Sequence, residues 1–574
     1  MSPDGAAAKS PANAQREPLQ AARDRLFPPL KNKTLAQAAN ALAQNRLADA
    51  SALLSGFVAK KPNDPAALNL MAEVARRSQR FGEAEQLLRR CVAAAPESAG
   101  YRFNHALALR RLEKFETALA QIDGLLGKDP RNPLYLEHRA TTLREMGRYL
   151  EAVDCRRAMA ELFPASAEIW VSLADSLKTI GREDECIAAY RRSLDLDRSS
   201  VAAYWRLADM KTYRFTEKDI RAIEGALTDG SLAAEVRANL HYALGKAYED
   251  QKQYASSFDN HAKANALRRL GIEFSPEGLV THRLNCEAVF TEGFFRARAG
   301  WGCETAGPIF IVGLPRSGST LVEQMLSNHS AIEGLGELGD LDTVMGERLC
   351  AGEDGWSAHD CCISGRLEFR NGLQKLLPRV VPSIQAGDCR AWGEAYLENT
   401  RGRRATDRPF FTDKGLRNFG HVGLIRLILP AAKIVDVRRH PLDCAWSCFK
   451  SHFPTGLPFT SRLTDIGSHY ANYARLMAHF DRVQPGSVHR VIYEKLIADP
   501  EGELRRLFDY LGLPFEDTCL RFYENDRSVK TLSATQVRKP LFSGAAQWLP
   551  YEQWFGQLKA TLGMVLDRYP DAPD

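Results

Sequence analysis

Arg316, Ser317, Ser319 and Thr320 crowd a short turn between Gly313 and an apolar, helix-like pattern, within the stretch PIFIVGLPRSGSTLVEQML at residues 308–326. The chemistry these residue types suit is the binding of an anion. Ile309 to Val312 form a short continuous apolar run, as expected of a strand covered on both faces. Leu321, Val322 and Met325 follow the turn at helical spacing. The segment therefore reads as strand, tight turn and helix start. In the loop Pro315-Arg316-Ser317-Gly318-Ser319-Thr320 the backbone N–H groups after the proline and the helix N-terminus converge, and both favour negative charge.

Gly313 and Gly318 have the spacing of the nucleotide-hydrolase phosphate loop, GxxxxGK[ST], but Ser319 stands where its lysine belongs. Without the lysine that bridges β- and γ-phosphates, a triphosphate hydrolase is poorly supported. An arginine, hydroxyls and unsatisfied N–H groups suit a phosphate beside a transferable anionic group. PRSGST before an apolar helix resembles the 5′-phosphosulfate loop of sulfotransferases that use 3′-phosphoadenosine 5′-phosphosulfate (PAPS). The likeness is greatest to the tyrosylprotein sulfotransferases.

That resemblance extends over about residues 305–555 and implies further site residues. VRRHPLDCAWSCFKSHF places Arg439 eight residues before Ser447, just after a strand-like run. This matches the family's 3′-phosphate element, and an arginine fork with a nearby hydroxyl can grip a terminal phosphate. Glu337, 21 residues after Arg316, matches the family glutamate that removes the acceptor's proton. Lys414, in FFTDKGLRNFG, matches the lysine that stabilises charge on the transferring group, across the sulfur from Glu337. Ser533 matches a serine at the same centre. Residues 533–542 resemble a cofactor-covering loop, with Gln536, Val537, Arg538 and Lys539 as donor contacts, and Tyr493 resembles the tyrosine near the adenosine. The implied donor is PAPS, the product is adenosine 3′,5′-bisphosphate (PAP), and no metal is required. One family lysine, before a C-terminal tryptophan, stands here as Gln547 before Trp548.

These groups need elements to hold them. Lys433–Val437 and His489–Tyr493 read as two more strands, with helical patterns at 424–429 and 468–481 between them. Strands separated by helices imply a parallel sheet covered on both faces, with ligands at the carboxyl ends of its strands.

The first half reads differently. Alanine falls at 38, 72, 106, 140, 174 and 208, and proline at 62, 96, 130 and 164. A small residue recurs at Ala50, Ala84, Ala118, Ala152 and Cys186. Every step is 34 residues, the tetratricopeptide (TPR) period. Alanine lets antiparallel helices approach closely, and proline is expected to start the next helix. HYALGKAYEDQKQYASSFDNHAKA, from His241, looks like one more pair. Such arrays present a concave surface to proteins or peptides.

The expected fold is thus a TPR α-solenoid followed by a phosphate-loop α/β domain with a parallel sheet. The expected boundaries are a disordered tail at 1–30, the array at 31–271, a connecting segment at 272–304 and the sulfotransferase domain at 305–574. A piece from about residue 300 onward is then expected to bind donor without the array.

The 574 residues are 45% hydrophobic and 26% charged with net charge +5, an ordinary globular composition that points away from nucleic acid. There is no apolar run long enough to span a membrane and no secretory h-region at the N-terminus. The twelve cysteines are scattered, without zinc spacing, and read as buried free thiols in a reducing, cytoplasmic setting. Cys444 and Cys448, one helical turn apart, read as packing residues rather than metal ligands. The leading reading is sulfuryl transfer to a hydroxyl of a protein tyrosine or a saccharide, with the array recruiting the acceptor or a partner. The alternatives are a non-catalytic TPR adaptor with a degenerate nucleotide domain, and a phosphate-loop kinase.

Overall fold

The computed structural model describes residues 17–27, 30–198, 200–210, 212–270, 272, 274–349, 380–453, 457–524, 541 and 546–571. The chain divides into two compact units, residues 1–206 and 207–574.

The first unit is a stack of antiparallel helix pairs. Lys33–Ala43 precedes Leu47–Lys60, Pro65–Arg77 precedes Phe81–Ala94, and Ala99–Arg111 precedes Phe115–Leu126. Pro133–Glu145 with Tyr149–Leu162, and Ala167–Thr179 with Glu183–Leu196, continue the series. The alanines at 38, 72, 106, 140 and 174 are at most 2% exposed, which is what lets the helices approach. Their counterparts Ala50, Ala84, Ala118, Ala152 and Cys186 are buried as completely.

The periodic prolines do not start the helices. Each stands two residues before an N-cap, at Asp64, Ser98, Asn132 and Ser166, in the turn that ends the preceding helix. Asp64, Ser98 and Asn132 accept N–H groups of the first helical turn. The turn inside each pair needs a left-handed residue. It is filled at the same 34-residue step by Asn45, Gln79, Glu113, Gly147 and Gly181, with φ from 56° to 79°.

The second unit is built on a five-stranded, wholly parallel sheet of order β2-β3-β1-β4-β5. The strands are β1 Pro308–Gly313, β2 Ile332–Gly334, β3 Phe410–Asp413, β4 Lys433–Arg438 and β5 Val488–Ile492. Side chains alternate across the sheet. Ile309, Ile311, Val435, Val437 and Val491 pack with Val322, Met325, Leu504 and Phe508 on one face. Phe310, Val312 and Ile434 pack with Leu424, Ala445, Trp446 and Tyr470 on the other. Helices thus cover both faces, and the chain is an α-solenoid followed by an α/β domain.

The boundaries differ from those expected. Glu17–Leu26 is helical within the expected tail. The last repeat-like pair, Ala234–Asp250 and Tyr254–Arg269, lies in the second unit. Phe258 stacks on Trp554 at 4.7 Å, Asn265 Nδ2 donates to the Phe449 carbonyl at 2.7 Å, and Lys450 pairs with Glu249 at 2.7 Å. The connecting segment carries helix Pro276–Val289, which packs on helix Leu463–Val483, with Arg283 Nε donating to Asn472 Oδ1 at 3.1 Å. No helix among the described residues is long and apolar enough to cross a membrane.

Candidate functional site

Strand order reverses between β1 and β4, so the crevice at their carboxyl ends is where an open parallel sheet receives a ligand. The two strands run in register to Gly313 opposite Val437. A Cβ at Gly313 would stand 2.6 Å from the Val437 carbonyl oxygen, so only glycine permits this approach. Both strands therefore open their following loops, 314–318 and 439–440, at the same edge.

The loop after β1 turns through Arg316, with φ of 70°, and Gly318, with φ of 103°, into helix Ser319–Ser327. Among the described residues no side chain caps that helix and Ser317 Oγ is buried with no hydrogen-bond partner, and all nine residues of the helix are buried. A Cβ at Gly318 would meet the Tyr493 ring at 2.6 Å. An uncapped helix N-terminus beside an orphaned buried hydroxyl fits a phosphate oxyanion.

Cations gather at the same place. Arg316 Nε donates to Ser447 Oγ at 2.9 Å, joining the first loop to helix Pro441–Phe449 after β4. Burial, with repulsion from Arg439 adding to it, pushes the Arg316 guanidinium below the usual arginine value despite favourable neighbours such as Cys448. An anion between the two arginines relieves that cost. Arg439 lies over the Tyr493 ring at 4.8 Å, and its amide oxygen accepts the Tyr470 hydroxyl at 2.7 Å. The Cys444 and Cys448 thiols both donate to the Pro315 carbonyl at 3.3 Å, so they brace the loop. Among the described residues no group of His, Cys, Asp or Glu is arranged to hold a metal ion.

Glu337 and Lys414 meet in the loops after β2 and β3. Lys414 Nζ donates to Glu337 Oε1 at 2.7 Å, with the lysine side chain 1% exposed and the glutamate 61%. The two groups expected to flank a transferring sulfur thus touch directly, and the carboxylate neutralises the buried ammonium. Asp413, wholly buried beside Lys414, accepts from the Tyr396 hydroxyl and the Gly415 N–H, each at 3.0 Å. Burial pushes its carboxyl up to about 7.

Pro315, Arg316, Ser317, Gly318, Ser319, Thr320, Arg439, Ser447 and Tyr493 thus lie around one crevice, with Glu337 and Lys414 paired in the loops after neighbouring strands. Tyr493 opens helix Tyr493–Ala498 rather than ending the strand. Ser533, Gln536, Val537, Arg538 and Lys539 lie outside the described residues. Gln547 accepts from Lys450 Nζ at 3.2 Å, and Trp548 stacks on His440 with ring centroids 5.6 Å apart. Asp443 holds the Ala546 N–H at 2.7 Å, fastening this segment to the helix that carries Ser447. Sequence reasoning passed over Asp413 and the carboxylate of Glu323. The only local signal was that charged residues interrupt otherwise apolar segments.

Residues 308–517 match the sulfotransferase family, and residues 35–99, 103–167 and 167–200 match tetratricopeptide repeats. An uncharacterized protein of Aquifex aeolicus (strain VF5) is 29% identical over 412 residues, covering 71% of this chain. The chain spans about half, 51%, of that relative's length. Among solved structures, a tetratricopeptide repeat protein from Parabacteroides merdae ATCC 43184 covers 41% of this chain and 92% of its own, at 19% identity and TM-score 0.32. A thermophilic TPR protein of Thermus thermophilus covers 30% and 94%, at 22% identity and TM-score 0.26. The chain thus joins tetratricopeptide repeats to a domain of the sulfotransferase family.

Proposed function

We propose that this protein transfers a sulfuryl group from PAPS to a hydroxyl acceptor, a protein tyrosine or a saccharide, and that its repeats recruit the acceptor or a partner protein. The observation that carries this reading is the meeting, at the β1/β4 crevice, of an uncapped helix N-terminus with the linked Arg316, Ser447, Arg439 and Tyr493. In this reading the loop N–H groups and Arg316 hold the 5′-phosphate side of the donor, and Arg439 with Ser447 holds the 3′-phosphate. Tyr493 borders the adenosine. Bound there, PAPS supplies a sulfuryl group on a phosphate leaving group.

Lys414 stabilises charge that develops on the bridging oxygen, and Glu337 takes the acceptor's proton. The acceptor oxygen bonds to sulfur as the bridging sulfur–oxygen bond breaks, and PAP departs. The resemblance adds Ser533 at the reacting centre and residues 536–539 as further donor contacts. The described cysteines are all free thiols, which suits a reducing, cytoplasmic setting.

Two measurements test this. PAP without divalent metal should raise the melting temperature, whereas ATP with magnesium should not; the reverse pattern would favour a kinase. Peptides and glycans incubated with PAPS should then include an acceptor whose intact mass rises by one SO₃ group. PAP binding with no acceptor among both classes would leave a binding module and overturn the enzymatic reading.

A further inference from the structure

Helix Ser319–Ser327 carries an acidic residue in its buried interior. Glu323 is 3% exposed, and a buried carboxylate is costly unless it is well bonded. Its Oε1 accepts the Gly336 N–H at 2.8 Å and the Thr412 hydroxyl at 3.0 Å. Thr412 Oγ1 in turn accepts the Leu335 N–H at 3.3 Å. From the other side, the Lys414 N–H donates to the Gly336 carbonyl at 2.8 Å. Gly336, with φ of 79°, is therefore held at both its donor and its acceptor. The residue that follows it is Glu337, whose own side chain is largely solvent-exposed.

Lys414 bonds the Glu337 carboxylate at 2.7 Å, and only a narrow set of positions of the backbone that carries it serves proton abstraction. Here the loop is clamped at the residue before it by groups from the phosphate-loop helix and from β3. The same helix that would receive the donor thus sets the height of the base above it. We infer that Glu323, acting with Thr412, is a positioning residue that fixes the Gly336–Glu337 backbone so that Glu337 meets the acceptor hydroxyl; this rests on the reading of Glu337 as the base. The effect of Glu323 passes through two hydrogen bonds that a glutamine at the same place can also accept.

The test is single-turnover transfer from PAPS to the peptide or glycan that the mass screen identifies, with PAP affinity measured in parallel on the full chain. Glu323→Met should keep PAP binding and slow the chemical step by about 10²-fold, the scale of a misplaced catalytic group. Glu323→Gln should recover most of that loss. Thr412→Val should slow transfer in the same direction and Thr412→Ser should not, a second route if Glu323→Met fails to fold. Glu323→Met combined with Glu337→Gln should be no slower than Glu337→Gln alone, because both act on one group.

A folded Glu323→Met at the wild-type rate beside a slow Glu337→Gln overturns the positioning role alone. A double variant slower by the product of the two effects overturns it as well. A wild-type rate in Glu337→Gln overturns the base reading itself, and this inference with it.

Discussion

Arg439 stands on a peptide held by the Tyr470 hydroxyl, with its guanidinium over the Tyr493 ring. Such a fork is pre-organised for a phosphate, and a hydrogen bond to a charged group contributes about 1.5–3 kcal/mol. Arg439→Ala should therefore weaken PAP binding by roughly 10- to 150-fold, measured by calorimetry on the folded variant; unchanged affinity would remove Arg439 from the site. Asp413 gives a prediction of a different kind. Its carboxyl is raised by burial from 3.8 to about 7 in the folded protein, so the folded state holds a proton that the unfolded state releases. The stability linked to that proton is fully present below about 3.8 and is lost as pH rises through about 7. Asp413→Asn does not titrate, and its amide oxygen can still accept the Gly415 N–H. The melting temperature of the variant relative to wild type should rise between pH 5 and pH 8. A difference that stays flat across that range would contradict the raised carboxyl.

The turns inside the helix pairs carry an energetic imbalance. Glu113 occupies the left-handed position at φ of 58° that Gly147 and Gly181 fill in the next two repeats. For a residue with a Cβ that conformation costs roughly 1–2 kcal/mol, partly offset by the greater chain entropy that glycine loses on folding. Glu113→Gly should raise the unfolding temperature of the array, and Gly147→Ala should lower it, both read by thermal denaturation. Equal and opposite results would mean that the Glu113 side chain makes a compensating contact. The 34-residue columns were legible in the chain because each small residue meets the same helix crossing. The role of the prolines was not, because proline before an N-cap and proline inside a first turn have nearly the same spacing. Strand β1 could be read from a run of apolar residues covered on both faces, and β4 and β5 from the β-branched residues in their runs. Strands β2 and β3 could not: one is three residues long, and the other ends in the buried Thr412 and Asp413, polar residues whose partners come from elsewhere in the fold. Glu323 was hidden for the same reason, since its partners lie 13 and 89 residues away.

The largest departure from the sequence reading is where the sheet-bearing half begins. His241–Ala264 has the small residues of a repeat, and Gly245 indeed lies against His261, where a Cβ would approach the ring to 2.6 Å. Repeat periodicity, however, says only how the two helices pack on each other, not what their outer faces meet. Those faces carry Phe258, which stacks on Trp446 and Trp554, Arg268, which donates to the Phe453 carbonyl at 2.8 Å, and Arg269, which pairs with Asp465 at 2.8 Å. The stretch that follows adds Cys286 and Phe290 to the core cluster containing Trp446 and Tyr470. Cutting at about residue 300 would uncover that surface, and each large apolar side chain so exposed forfeits about 1.5–3 kcal/mol. Against the small net stability of a domain, about 5–15 kcal/mol, several such losses are decisive. A protein starting at Leu207 should therefore be monodisperse and bind PAP with the affinity of the full chain, whereas one starting at residue 300 should aggregate or fail to bind. Size-exclusion chromatography and calorimetry on the two truncations decide it. A soluble, PAP-binding protein from residue 300 would show that helices Ala234–Asp250, Tyr254–Arg269 and Pro276–Val289 are appended to the sheet domain rather than part of its core.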